Sequence, residues 1–150
     1  MITNLRTGQK SAVPSSEGIF AYWLDQDTLI APNHKGMGFV TFNRKTGKWT
    51  ELASLPHGGI DRWTVSPDAK YLYFSTTGAE PEAMRLRLAD HQVETITSLK
   101  DLHRVVNYGS TQINVAPDGS PIFTRDTGYQ EIYALNIKWP ERRNGSKDHP

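Results

Sequence analysis

The sequence predicts an all-β protein built from repeated four-stranded antiparallel sheets. The segment at residues 63–68 recurs at 113–118, and a copy that lacks the proline runs from 20 to 25. Apolar residues two apart in each copy are typical of a strand that buries one face, and the Pro-Asp step predicts a turn. The copies are separated by 43 and 50 residues, a repeat length typical of β-propeller blades. We therefore predict a partial β-propeller of about three to three and a half blades.

The elements follow from this alternation in chain order. The predicted strands span 19–23, 28–31, 38–43, 48–52, 62–65, 71–75, 83–88, 93–96, 112–115, 121–125 and 131–136. Apolar residues at 99, 102, 105 and 106 break the alternation and predict one short helix near 99–106. The predicted units are an outer hairpin of an incomplete blade (1–14), a blade (15–56), a second blade (57–98), a closing blade with the short helix (99–139) and a disordered tail (140–150).

The Pro-Asp step is explained by turn geometry. Proline fixes φ near the value needed at the second position of a type I turn, and the aspartate can accept hydrogen bonds from nearby backbone N–H groups. Pro67-Asp68 and Pro117-Asp118 are therefore predicted to connect the innermost and second strands of two blades. Gly119 suits the position after the second turn.

The spacing around each aspartate predicts which side chains are buried. In the middle blade the buried layer is predicted to be Trp63, Val65, Leu72 and Phe74. In the first copy, the residues five and three before Asp25 are Phe20 and Tyr22, which the same count makes the equivalents of Trp63 and Val65.

The predicted outer hairpin rests on a second internal match. Residues 3–10 match 42–49, with Asn4 in the place of Asn43 and Gly8 in the place of Gly47. Glycine supplies the positive φ that a short hairpin with a bulge requires.

Composition and charge narrow the function classes. A hydrophobic fraction of 37% over 150 residues suits one globular domain, and a net charge of +1 gives no electrostatic reason to expect nucleic acid or an anionic membrane. There is no cysteine, so disulfides and thiolate chemistry are excluded. No apolar run approaches the roughly 20 residues of a membrane span, and no export leader precedes the first strand. A cytoplasmic location is the default expectation.

No residue pattern predicts a catalytic, cofactor or metal site. The turn position explains the aspartates, and His57-Gly58-Gly59 lacks the GxSxG segment of an esterase. No HxxxH or similar metal-ligand spacing occurs among His34, His57, His91, His103 and His149. The binding candidates are Arg125 and Asp126, a charged pair predicted to lie beside the central opening. The alternative is that this pair only stabilises a turn.

Two groups of segments resemble known proteins. Residues 65–74 and 115–122 resemble the TolB-like, WD-repeat-like β-propeller repeats common in bacteria, and the likeness extends over roughly 1–139. Residues 99–102 and 125–135 resemble the closing blade of large bacterial regulators, in which a winged-helix or protein-kinase module precedes a propeller. The resemblance implies an accessory propeller that senses a ligand or binds a partner. DNA binding and kinase activity belong to the upstream modules and do not carry over.

The sequence therefore predicts a non-enzymatic β-propeller segment that acts as a protein-interaction or ligand-sensing module, as the C-terminal part of a larger bacterial regulatory protein. Two alternatives stay open, the propeller cap of a serine peptidase and a TolB-like envelope protein. We expect a protein partner or a small ligand on the propeller face, no cofactor, no direct nucleic-acid contact and no membrane span. Because a blade buries its faces only against its neighbours, the missing blades are expected from the rest of a longer protein or from self-association.

Overall fold

A computed structural model describes residues 1–15, 20–102 and 113–128, in which β-strands are joined by turns and no helix occurs. The strands form two hairpins and two four-stranded sheets, and every pairing is antiparallel. In each sheet a strand pairs with the next strand along the chain. The all-β prediction is confirmed.

The strands are numbered in chain order. The first hairpin contains β1 (Ile2–Thr3) and β2 (Lys10–Ser11). The first sheet contains β3 (Tyr22–Trp23), β4 (Thr28–Pro32), β5 (Gly38–Asn43) and β6 (Lys48–Ser54). The second sheet contains β7 (Ile60–Val65), β8 (Tyr71–Thr76), β9 (Glu82–Arg87) and β10 (Val93–Ser98). The second hairpin contains β11 (Ile113–Val115) and β12 (Pro121–Phe123).

Several predicted elements differ from the structure. The strand predicted at 19–23 contains only Tyr22–Trp23, although residues 20 and 21 are also described. The strand predicted at 121–125 spans only Pro121–Phe123 in the described residues. The start of the predicted helix is a turn, in which the Leu102 N–H donates to the Leu99 carbonyl at 3.1 Å. The rest of that helix, the strand predicted at 131–136 and the tail at 140–150 lie outside the described residues.

The Pro-Asp turns have the predicted geometry. The Ala69 N–H donates to the Ser66 carbonyl at 2.9 Å, and the Gly119 N–H donates to the Ala116 carbonyl at 2.9 Å. Each bond joins the first and fourth residues of a β-turn with proline in its second position. The fourth residue is left-handed in both turns, with φ of 52° at Ala69 and 86° at Gly119.

The predicted alignment of the first copy is wrong by one residue. Val65 pairs with Leu72 in the second sheet, and the residue that pairs with Leu29 in the first sheet is Trp23, not Tyr22. Because successive side chains of a strand point to opposite faces, a slip of one residue exchanges the faces of β3.

The slip arises from a shorter turn. The turn between β7 and β8 is closed by Ser66, whose N–H donates to the Tyr71 carbonyl. The turn between β3 and β4 is closed by Leu24, whose N–H donates to the Thr28 carbonyl. Without the proline, Asp25 forms a tighter turn in which its Oδ1 accepts the N–H groups of the residues two and three positions later, at 2.7 and 2.8 Å.

The main core lies between the first and second sheets. The buried side chains there are Ile30, Phe39, Leu55, Leu72, Phe74, Met84 and Leu86. Within the predicted layer, Leu72 and Phe74 are fully buried, and Trp63 and Val65 are partly buried against this cluster. Full burial of one such side chain contributes about 1.5–3 kcal/mol.

The outer faces of these two sheets contact the hairpins. Val13, Leu29 and Phe42 form a smaller cluster that packs the first hairpin and its connector on the first sheet. On the other side, the second hairpin lies against a polar face of the second sheet, where the Tyr73 hydroxyl donates to the Gly119 carbonyl at 3.1 Å. The units are therefore stacked side by side in chain order, as the blades of a propeller are.

Candidate functional site

The innermost strands of three units, β3, β7 and β11, border a groove of about 450 Å³. We call it the hub groove, and its main side chains are Phe20, Tyr22, Asp61, Arg62, Trp63 and Asn114. It combines aromatic surface with two charges and an amide. Grooves of this composition are suited to recognising a ligand that has both apolar and polar groups.

The aromatic floor of the hub groove is continuous with the core. The Tyr22 ring meets the Trp63 ring edge to face, with 4.8 Å between centroids, and Trp63 in turn contacts the buried Phe39 at 5.5 Å. Tyr22 is 51% exposed and Phe20 is 83% exposed. The floor is thus held in place by buried neighbours while the rim offers open aromatic surface.

The charges of the hub groove stand at a β-bulge. The pairing of β7 with β8 shifts between Ile60 and Arg62, so that Asp61 is the extra residue. Bulges re-aim side chains and are over-represented beside functional sites. The Asp61 carboxylate accepts a hydrogen bond from the Ser75 hydroxyl at 3.4 Å, whereas Arg62 is exposed.

Arg125 and Asp126, the residues selected from the sequence, follow β12 at the edge of the second hairpin. Phe123 pairs with Ile113, which lines the hub groove, so the backbone brings the pair to the same edge as the groove. Both side chains are exposed, and Asp126 Oδ1 accepts the Gly128 N–H at 2.7 Å. That bond stabilises a turn at Asp126 and does not involve Arg125, and a binding role for the pair stays a prediction.

The turn aspartates lie at the ends of the strands that are distant from the hub groove, where their carboxylate oxygens accept hydrogen bonds from backbone N–H groups. The Asp27 N–H lowers the pKa of Asp25, the Ser66 hydroxyl lowers the pKa of Asp68, and the Ser120 N–H lowers the pKa of Asp118. Each shift comes mainly from hydrogen bonds to the ionised carboxylate. The turn therefore accounts for these residues, as the sequence indicated.

The histidines within the described ranges are separate from the hub groove. His34 Nε2 lies 3.0 Å from the Ser15 carbonyl, and His57 Nε2 lies 4.0 Å from the Glu82 carboxylate. His103 and His149 lie outside the described residues. In residues 1–15, 20–102 and 113–128, no group of three or more His, Cys, Asp or Glu could hold a metal ion. The same ranges contain no helix with the length and apolarity to cross a membrane.

Sequence reasoning missed the hub groove because it assigned the aromatic residues to the core. One sequence signal could have revealed that Tyr22 is exposed: residues 24–27 contain no proline, unlike the other two turns. A shorter turn there changes the register of β3 and directs Tyr22 to the side of Trp63.

Comparison with solved structures shows the fold. The chain is similar to TolB from Acinetobacter baumannii, with a TM-score of 0.54 and 23% sequence identity over 73% of this chain. The matched region covers 27% of the TolB chain, so this chain spans only part of that length. No family model and no curated protein matches the sequence. The likeness establishes a TolB-like β-propeller fold, of which the sheets described above form a part.

Proposed function

We propose that the chain is a non-enzymatic β-propeller segment that binds a protein partner or a small ligand through the hub groove, as a sensing module of a larger bacterial regulatory protein. The observation that carries the proposal is the exposed aromatic surface of Phe20 and Tyr22 beside the exposed Arg62. Aromatic residues and arginine are the side chains that most often dominate binding energy at interfaces.

The groove chemistry also favours a class of ligand. The Asp61 carboxylate accepts a hydrogen bond from Ser75, while Arg62 is exposed at the groove. An arginine beside an aromatic floor favours a ligand with a carboxylate or phosphate next to an apolar group, because the guanidinium binds the anion and the rings bury the apolar part. Arg125, at the same edge, would add a second positive charge.

Two observations support a segment of a larger protein. Propellers typically close with four to eight blades, and the described ranges hold two complete four-stranded sheets and two hairpins. The chain also matches 27% of the TolB chain. Further sheets are needed to complete a ring around the hub groove. A regulatory role for that larger protein is carried by the sequence resemblance alone.

Site-specific cross-linking tests the binding proposal. A photoreactive phenylalanine analogue replaces Tyr22 in one variant and Thr46, an exposed turn residue at the opposite edge, in the control. After irradiation in bacterial cells, mass spectrometry identifies the adducts. We expect a discrete adduct from position 22, its loss on Arg62→Glu, and no such adduct from position 46. Equal adducts from both positions, or an adduct at 22 that Arg62→Glu leaves unchanged, contradict a hub-groove site.

The non-enzymatic part of the proposal has its own test. The purified chain is incubated with a fluorophosphonate probe and with activated esters. We expect no labelling and no turnover above that of the heat-denatured protein. Stoichiometric labelling of one serine would contradict this part of the proposal.

A further inference from the structure

The first hairpin repeats the outer half of the first sheet. Asn4 Oδ1 accepts the backbone N–H groups two and three residues later at 3.0 and 3.1 Å, and Asn43 Oδ1 makes the same two bonds at the same distances. Gly8 and Gly47 close the two turns with φ of 71° and 67°. The Gly8 N–H donates to the backbone carbonyl of Asn4, and the Gly47 N–H donates to that of Asn43, both at 2.8 Å. The pair β1–β2 is therefore the counterpart of β5–β6.

The connectors that follow the two outer strands are also alike. Val13 precedes Pro14, and Leu55 precedes Pro56. Both aliphatic side chains are buried, Val13 against the first sheet and Leu55 in the main core. The Trp49 indole N–H donates to the Pro14 carbonyl at 2.7 Å and ties the first connector to the first sheet. The first hairpin thus packs on the first sheet as the first sheet packs on the second.

Within the described residues, no inner pair of strands lies beside the first hairpin as β3–β4 lies beside β5–β6. In the first sheet, β4 pairs with β5 and buries Ile30 completely against the second sheet. At the corresponding place beside β1 there is a groove of about 330 Å³. We call it the edge groove, and it is lined by Ile2, Val13, Ala21, Trp23, Leu29 and Trp49.

The edge groove exposes Trp23, whose counterpart is covered in the next interface, while Leu29 beneath it is buried. Leu29 is the counterpart of Leu72, and Trp23 is the counterpart of Val65. Leu72 is fully buried and Val65 packs on the main core, whereas Trp23 is 49% exposed. The sheet face is thus the same kind of surface in both places, but no inner pair of strands from the described residues covers it at the edge groove.

We infer that the edge groove accepts a two-stranded β-hairpin from the longer polypeptide, one with the chemistry of β3–β4. Its second strand pairs antiparallel with β1 and places a branched apolar side chain, in the position of Ile30, against Trp23 and Leu29. Extended segments commonly add to open strand edges in this way, with backbone hydrogen bonds giving affinity and side-chain pockets giving specificity. The inference rests on the segment part of the proposed function and is independent of the hub groove.

A second copy of the chain is a poorer occupant. The inner hairpins of its first and second sheets already pair with β5 and β9. Within the described residues, a copy could offer only β11–β12. Association of two copies through the edge groove is therefore an outcome that would overturn the inference.

The test supplies the missing hairpin from the chain's own sequence. Residues 20–39 are duplicated and fused ahead of Met1, so that Met1 takes the place of Val40 and Asn4 that of Asn43. The matched control carries Ile30→Asp in the added copy only, which leaves the parent chain unaltered. We expect the fusion to raise the urea midpoint by about 1 M, since one buried aliphatic side chain and a typical urea dependence give a shift of that size.

The outcomes separate clearly. A raised midpoint in the fusion, restored to that of the unextended chain by Ile30→Asp in the copy, supports the inference. Equal midpoints for fusion and control overturn it. So does light scattering that shows the unextended chain as a dimer converted to a monomer by Trp23→Asp. The cross-link at position 22 lies in the hub groove and reports separately, so either proposal can fail without the other.

Discussion

Leu72→Ala is the substitution on which the fold can be tested most directly. Leu72 is fully buried, since it pairs with the buried Leu86 on β9 and packs in the core between the first and second sheets. Truncation removes the burial of a leucine side chain and leaves a cavity between two sheets. Substitutions of this type cost about 2–5 kcal/mol, a large part of the roughly 5–15 kcal/mol that holds a typical domain folded.

The assay is urea unfolding followed by tryptophan fluorescence, with Leu5→Ala as the matched control. Leu5 is 96% exposed, so the same chemical change there is expected to alter the free energy of unfolding by less than about 0.5 kcal/mol. Leu72→Asp, which would bury an unpaired carboxylate, is expected to unfold the second sheet. A cost below about 1 kcal/mol for Leu72→Ala, or one equal to that of Leu5→Ala, would refute the sheet-on-sheet core.

Two further predictions concern the Pro-Asp turns. Ala69→Gly is expected to stabilise the chain by about 0.5–1 kcal/mol in urea unfolding. The reason is that Ala69 has a left-handed backbone with φ of 52°, which glycine adopts without strain, as at Gly119. A urea midpoint lower than that of the wild type contradicts this prediction. The pKa of Asp68 is lowered from 3.8, chiefly by the Ser66 hydroxyl, so the stabilisation is present above pH 3.8 and is lost as pH falls through the folded pKa. The urea midpoint of Asp68→Asn should therefore lie below that of the wild type at neutral pH, and the gap should close below pH 3.8; a gap constant with pH would count against this account.

Much of the fold could be predicted because its determinants are local. Alternating apolar residues identify strands such as β8, where Leu72 and Phe74 are fully buried, and proline followed by aspartate identifies a turn whose hydrogen bonds the structure contains. Each of these signals needs only a few consecutive residues. The register of β3 was mispredicted because the count from Asp25 assumed turns of equal length.

The hub groove could not be predicted in the same way, because it depends on strands distant in sequence. Phe20, Trp63 and Asn114 belong to three different units, and no short segment contains more than one of them. The bulge that makes Asp61 the extra residue of β7 depends on pairing with β8, which the alternation pattern does not reveal. Arg125, the binding candidate chosen from the sequence, follows the strand that pairs with β11, and its binding role stays a prediction.

The shortened first turn connects the two grooves. Because Tyr22 pairs with Ile30, its side chain lies on the side of the second sheet and contacts Trp63 in the hub groove. Because Trp23 pairs with Leu29, its side chain lies on the side of the first hairpin, in the edge groove. With a turn as long as the one after Val65, these two aromatic residues would exchange faces. One residue of turn length therefore sets both the aromatic floor proposed to bind a ligand and the apolar surface proposed to receive a β-hairpin.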